Sequence, residues 1–208
     1  MDQHLGYLLA SGTSICGGSA IAAISPIIKA KHGVISVAIA LVFLLNSVAL
    51  LIFPFLGNYL QLNPYQYGLW CAVAIHDTSS VLGAALVFGD EAVQIATMVK
   101  LSRTLWIIPL SIFTAFFFRS DSKRISPPYF ILGFVASMLL NSYGLVSTET
   151  AALLTTISKR LLLLTLFLVG SVLTIGEIKK IGIKPFLFAC VLWVSISVFS
   201  LVYILYSS

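Results

Sequence analysis

The sequence predicts an all-α, polytopic membrane protein, and three observations predict it. Hydrophobic residues make up 59% of the 208 and charged residues only 9%, whereas a soluble domain carries about 25% charged residues. The seven acids and twelve bases cannot coat a globule of this size in water. The apolar residues also fall in long runs separated by short polar turns, the pattern of helices that cross lipid. At about 20 residues per crossing, the chain accommodates about six or seven hydrophobic segments. These form a single transmembrane domain over residues 1–208.

The first apolar stretch, residues 5–28, is interrupted by Ser11, Gly12, Thr13 and Ser14 and again by Cys16, Gly17, Gly18 and Ser19. Glycine and serine clustered at mid-depth weaken a helix, so a break is predicted there. The second stretch, residues 34–56, is apolar except for Asn46 and is expected to cross plainly, ending at Pro54 and the polar run 58–64. The third, residues 65–88, holds His76, Asp77, Thr78, Ser79 and Ser80 near its middle, a run too polar to face lipid. It is predicted to be the second discontinuous helix. The turn Gly89, Asp90, Glu91 leads into a fourth stretch, 92–118, which sets Lys100 and Arg103 among apolar neighbours. A fifth stretch is expected over 129–145, a polar surface helix over 147–160, and further crossings over 161–175 and 185–206.

The net charge of +5 comes from bases in short loops, so it reads as a topology signal and not as a nucleic-acid surface. Counting places Arg119, Lys123, Arg124, Lys179, Lys180 and Lys184 on the cytoplasmic side and Lys29, Lys31, Lys159 and Arg160 on the other, provided that every stretch crosses fully. Cys16, Cys71 and Cys190 lie inside apolar segments, which predicts no disulfide framework. The first four residues have no basic region, which argues against a cleaved signal peptide.

A break in a membrane helix is tolerated only where protein or a hydrated cavity surrounds it. Both breaks therefore point to a site. Ser19 reads as an N-cap opening a short helix that ends near Lys29, and Asp77, Thr78, Ser79 and Ser80 offer N-caps before residues 81–86, with Gly89 suited to a C-terminal cap. Helix N-termini attract anions. Across the hairpin centred on Gly89 and Asp90, equal spacing sets Asp77 level with Ser102 and Arg103, and Lys100 level with Ser79 and Ser80. Cys16, Gly17, Gly18, Ser19, Thr78, Ser79, Ser80, Lys100 and Arg103 are thus the candidate binding residues for a small anion, with His76 and Asp77 as candidates for ion or proton coupling. Competing readings keep the small residues as close helix packing and make Asp77 and Arg103 a structural ion pair.

Enzyme chemistry finds little support. Adjacent helix positions point about 100° apart, so Asp77 cannot orient His76 as a catalytic triad requires. Three histidines and three cysteines, mostly far apart, do not predict a zinc site, and the sequence has no P-loop or dinucleotide fingerprint. No cofactor is expected.

Two runs resemble a known family. Residues 12–23, from Gly12-Thr13-Ser14-Ile15-Cys16-Gly17-Gly18-Ser19 to Ala23, are similar to a signature of the YeiH-type sulfate exporter family of bacterial inner-membrane proteins. The other run pairs residues 74–81, which contain His76-Asp77-Thr78-Ser79-Ser80, with residues 99–109, which contain Lys100, Arg103 and Pro109. The resemblance implies a multi-pass inner-membrane secondary transporter of the cation/proton-antiporter and bile-acid-symporter type, with inverted repeats and discontinuous helices. Members of that family carry further spans before the cysteine motif, whereas this chain begins almost on it. The expectation is an N-terminally shortened transporter, with a homodimer partner or a separate chain supplying the missing helices. The alternatives are a cation/proton antiporter working through Asp77 and a membrane scaffold that transports nothing.

Overall fold

Local chemistry starts the helices. Asp2 caps α1 (Gln3–Ser14) by accepting from the N–H groups of His4 and Leu5. At the start of α4 (Pro64–Ala74), Asn63 and Gln66 form a reciprocal capping box, and Pro64 occupies the first turn, where its missing N–H leaves no bond unmade. The other helices are α2 (Gly18–Ile24), α3 (His32–Tyr59), α5 (Thr78–Ala85), α6 (Asp90–Thr104), α7 (Ile107–Phe117), α8 (Thr148–Val172) and α9 (Ile183–Ser207). This computed structural model describes residues 2–118, 133, 136–137, 139–140, 143–144, 146–172 and 182–207, and among them there is no strand. The predicted fifth stretch lies largely outside the described residues, as does the loop that carries Lys123 and Arg124.

Both predicted breaks exist, at Ile15 to Gly17 and at Ile75 to Asp77, and at each the chain folds back on itself. A Cβ on Gly12 would stand 3.2 Å from the Ile21 side chain, although a straight helix would separate these residues by about 13 Å at 1.5 Å per residue. The Tyr67 hydroxyl donates to the carbonyl of Ala84 at 3.3 Å, and the Tyr67 ring stacks on Phe88 with centroids 3.6 Å apart. So α1 with α2, and α4 with α5, are re-entrant hairpins. The first and third stretches do not cross, which corrects the assumption that every stretch spans the bilayer.

The two hairpins enter from opposite faces. Tyr7 bonds Thr114 at 2.7 Å and His4 and Tyr7 pack on Phe118, which puts the open end of the first hairpin beside the end of α7. Gly57, Tyr67 and Phe88 meet at the other face, beside the start of α6. Between these faces run α3, 28 residues, and the α6–α7 segment, also 28 residues; with the 25-residue α9, these are the three helices among the described residues long and apolar enough to span a membrane. The chain order is hairpin, span, hairpin, span, with the second pair inverted relative to the first.

Three further boundaries differ from expectation. α3 continues through Pro54 to Tyr59, because a proline near the end of a membrane helix removes one bond that neighbours can replace. The fourth stretch bends at Leu105 and Trp106, where Pro109 cannot donate to the Leu105 carbonyl. Residues 148–172 form one helix in place of a surface helix followed by a separate crossing.

Packing holds the hairpins at a fixed depth. Phe53 of α3 stacks on Trp70 of α4 at 4.1 Å, and Trp70 Nε1 donates to the Ser197 carbonyl of α9 at 2.9 Å. α4 lies against α6 so closely that a Cβ on Gly68 would come within 2.6 Å of the Ala92 carbonyl oxygen. Gly68→Ala should therefore destabilise the protein by about 1–3 kcal/mol, since backbone cannot yield as a side chain does. Gly33→Ala, with nothing within 4 Å of the new Cβ, should be neutral. Equal melting temperatures in detergent for the two variants would contradict this packing.

The fold also regroups the basic residues. Lys29 and Lys31, just before α3, share a face with the end of α7, while Asp90 and Glu91 lie at the opposite face. By the positive-inside rule, the bases at the first face predict that it is cytoplasmic. Lys31→Cys should react with a membrane-impermeant thiol reagent only in inside-out vesicles, and Glu91→Cys only in right-side-out ones. The reverse pattern would invert the orientation.

Candidate functional site

The hairpin tips meet each other between the spans. Gly17 is the tip of the first, with φ of 63° and ψ of −118°, a conformation that side chains oppose. A Cβ there would stand 3.0 Å from Val42 Cγ1 and 3.3 Å from the His76 backbone and Cβ. Glycine is thus required twice, for its dihedral angles and for the close approach of the second tip. This turn lets α2 begin at Gly18, so Ser19 is not its N-cap; Ser19 lies exposed in the first turn. Gly18 is part-buried and Cys16 fully buried beside Ile15, Ala20 and Ile107.

A helix that ends inside lipid leaves carbonyls without donors. Here α6 supplies them. Arg103 Nε donates to the Ser14 carbonyl at 2.7 Å and its Nη2 to Thr13 at 3.2 Å, at the end of α1. Its Nη1 donates to Val73 at 2.6 Å and to Ala72 at 3.5 Å, at the end of α4. Lys100, 1% exposed, donates through Nζ to Ile75 at 2.7 Å and to Ala72 at 3.4 Å. The two bases hold both tips by their negative helix ends.

This geometry corrects two expectations. Arg103 does not pair with Asp77, whose Oδ2 instead accepts from the N–H groups of Ser79 and Ser80 at 3.0 and 3.2 Å and so caps α5. Lys100 reaches the carbonyls at the end of α4, and both α4 and α5 pack along α6. The N-terminus of α5, expected to be open to an anion, is occupied by the chain's own carboxylate. Asp77, Thr78 and Ser79 are part-buried and Ser80 is buried.

Two features were not singled out in the sequence. Asn46 of α3 lies 1% exposed against the second tip, with Oδ1 accepting from the His76 N–H at 3.0 Å. A lone amide in an apolar run was its only signal. The second is a cavity of about 400 Å³ at the α6–α7 bend, lined by Ser14, Ile15, Trp106, Pro109, Leu110 and Phe113. It opens beside the carbonyl that Arg103 Nε engages.

Comparison with known proteins places this arrangement in a family. Residues 1–189 match the family described as Conserved hypothetical protein 698. The chain belongs to that family. A relative from Bacteroides thetaiotaomicron, a UPF0324 membrane protein, is 44% identical over 205 residues, covering 98% of this chain and 62% of the relative. UPF0324 membrane proteins of Photobacterium profundum and Shewanella oneidensis are 48% and 47% identical, covering 99% of this chain in each case and 63% and 65% of those proteins. The chain thus spans less than two thirds of the length of these relatives. No solved structure matches. The YeiH-type resemblance holds at the level of the family, and the chain is a bacterial membrane protein; the relatives' names give no solute.

The Conserved hypothetical protein 698 fold makes Gly17 a sensitive position. Gly17→Ala should cost about 1–3 kcal/mol from its dihedral angles alone and more from the contact with Val42. Gly18→Ala, whose Cβ would sit at an ordinary 3.5 Å from Phe43, should fold normally. Melting curves of the two variants check this, and a Gly17→Ala protein as stable as its parent would refute the close approach.

Proposed function

We propose that this chain is the solute-binding body of a secondary transporter for a small anion, with the site where the two hairpin tips meet. One observation carries the reading: two cationic side chains, Lys100 and Arg103, stand against a single carboxylate, Asp77, at the meeting point of two re-entrant hairpins. Ionisable groups at membrane depth are costly and mark solute or ion paths. The carbonyls that accept from both bases bring no formal negative charge, so the local field stays positive. Inverted pairs of broken segments support alternating access. In this reading a homodimer partner or a separate chain supplies the second moving body, and sulfate is the first solute to test.

Flux of labelled sulfate into liposomes tests the sign of the site. Asp77→Asn keeps the α5 cap, because asparagine caps as well as aspartate, and removes the negative charge. Sulfate flux should persist or rise in Asp77→Asn and fall at least about tenfold in Lys100→Met, the loss expected for one charge-assisted hydrogen bond. If Asp77→Asn abolishes exchange while Lys100→Met preserves it, the chain is a cation/proton antiporter working through Asp77. No saturable flux of either kind, together with no shift of the melting temperature by sulfate, makes it a scaffold.

A further inference from the structure

One peptide unit, between Ile75 and His76, is gripped from both ends. Its carbonyl accepts from Lys100 of α6 at 2.7 Å, and its N–H donates to Asn46 of α3 at 3.0 Å. Because a backbone N–H can only donate, the Asn46 atom facing it must be oxygen, which fixes the orientation of the amide. The Asn46 Nδ2 group is therefore the end left over. It is buried and has no hydrogen-bond partner among the described residues, and the same holds for Nδ1 and Nε2 of His76. Both residues are 1% exposed.

Buried polar atoms without partners are rare in native proteins and each calls for an explanation. Here three of them lie at one tip, within reach of the same peptide unit, beside a buried lysine. Nδ2 offers two donors, and a neutral imidazole offers one donor and one acceptor. Apolar groups around the tip leave all of these orphaned, whereas an oxyanion accepts from several donors at once.

We infer that Asn46 and His76 form the uncharged half of the solute site, donating hydrogen bonds to the oxygens of a small oxyanion beside Lys100. This rests on the transport reading above and adds to it a residue from α3, so that both spans contact the solute. The single imidazole acceptor further suits an oxyanion that retains a proton, such as hydrogen phosphate, over one that carries none, such as sulfate.

The test is saturation of flux in liposomes containing the purified chain, with sulfate and phosphate as probes. Asn46→Asp keeps an oxygen on the His76 N–H and loses the amide donor; His76→Phe keeps the ring's bulk and loses both nitrogens; His76→Gln keeps a neutral donor and acceptor. The expected result is a rise in KM of about tenfold for His76→Phe and for Asn46→Asp, the size of one lost hydrogen bond, at unchanged melting temperature, with His76→Gln close to the parent. The parent should also show a lower KM for phosphate than for sulfate. Parent-like KM values in both His76→Phe and Asn46→Asp, with flux lost in Lys100→Met, would overturn this inference and leave the transport reading standing. A parent protein with neither saturable flux nor a shift of its melting temperature by either probe would overturn both.

Discussion

Every part of this architecture answers one constraint: a helix that stops inside a membrane exposes carbonyls that no water can reach. α1 and α4 both stop there. Their last carbonyls are taken up by two side chains three residues apart on α6, Lys100 and Arg103, with the guanidinium alone spread over Thr13, Ser14, Ala72 and Val73. Only arginine carries a planar fork of donors long enough to serve two helix ends at once. Burying these cations is costly in itself, and the helix ends that they satisfy offset the cost. Charge and break therefore require each other.

The second consequence is symmetry of plan. Residues 3–59 give a hairpin and a span, and residues 64–117 give a hairpin and a span entering from the other face. The tips touch at Gly17 and His76, the backbone of one hairpin against the backbone and Cβ of the other. The apolar packing divides by depth and not by repeat: one core gathers α1, α2 and the first half of α3, with Leu110 and Ala115 of α7 against it, the other gathers α4, α5, α6 and Ala49 and Phe53 of α3, and α9 contributes Ala189 to the first and Ile204 to the second.

The sequence was legible where composition alone decides. Glycine and serine runs at Gly12 to Ser19, and a polar run at His76 to Ser80, marked both breaks, and the apolar background marked the membrane. The direction in which the chain leaves each break was not legible, because a kink, a crossing and a fold-back interrupt a helix with the same residues. Contacts such as Tyr67 to Ala84 distinguish them, and they depend on three dimensions. The engagement of Lys100 with the carbonyls of α4 was not legible either, because counting residues about the α5–α6 turn says nothing of a third helix packed on α6. Asp77 was correctly read as an N-cap and also as a partner for Arg103, and its oxygen serves the nearer N–H groups.

The peptide unit between Ile75 and His76 draws these lines together. Its two ends are bonded to different spans, Asn46 on α3 and Lys100 on α6, and the peptide is planar and stiff. A displacement of α3 against α6 cannot be absorbed within that unit; it must break one of the two bonds or carry the hairpin tip with it. A tip held this way couples the positions of two spans to the position of His76, next to the turn at Gly17 that no larger residue fits. In the proposed reading, occupancy of the site and the relative placement of the spans would be one equilibrium, since a ligand that engages Asn46, His76 and Lys100 would favour whichever arrangement keeps all three together.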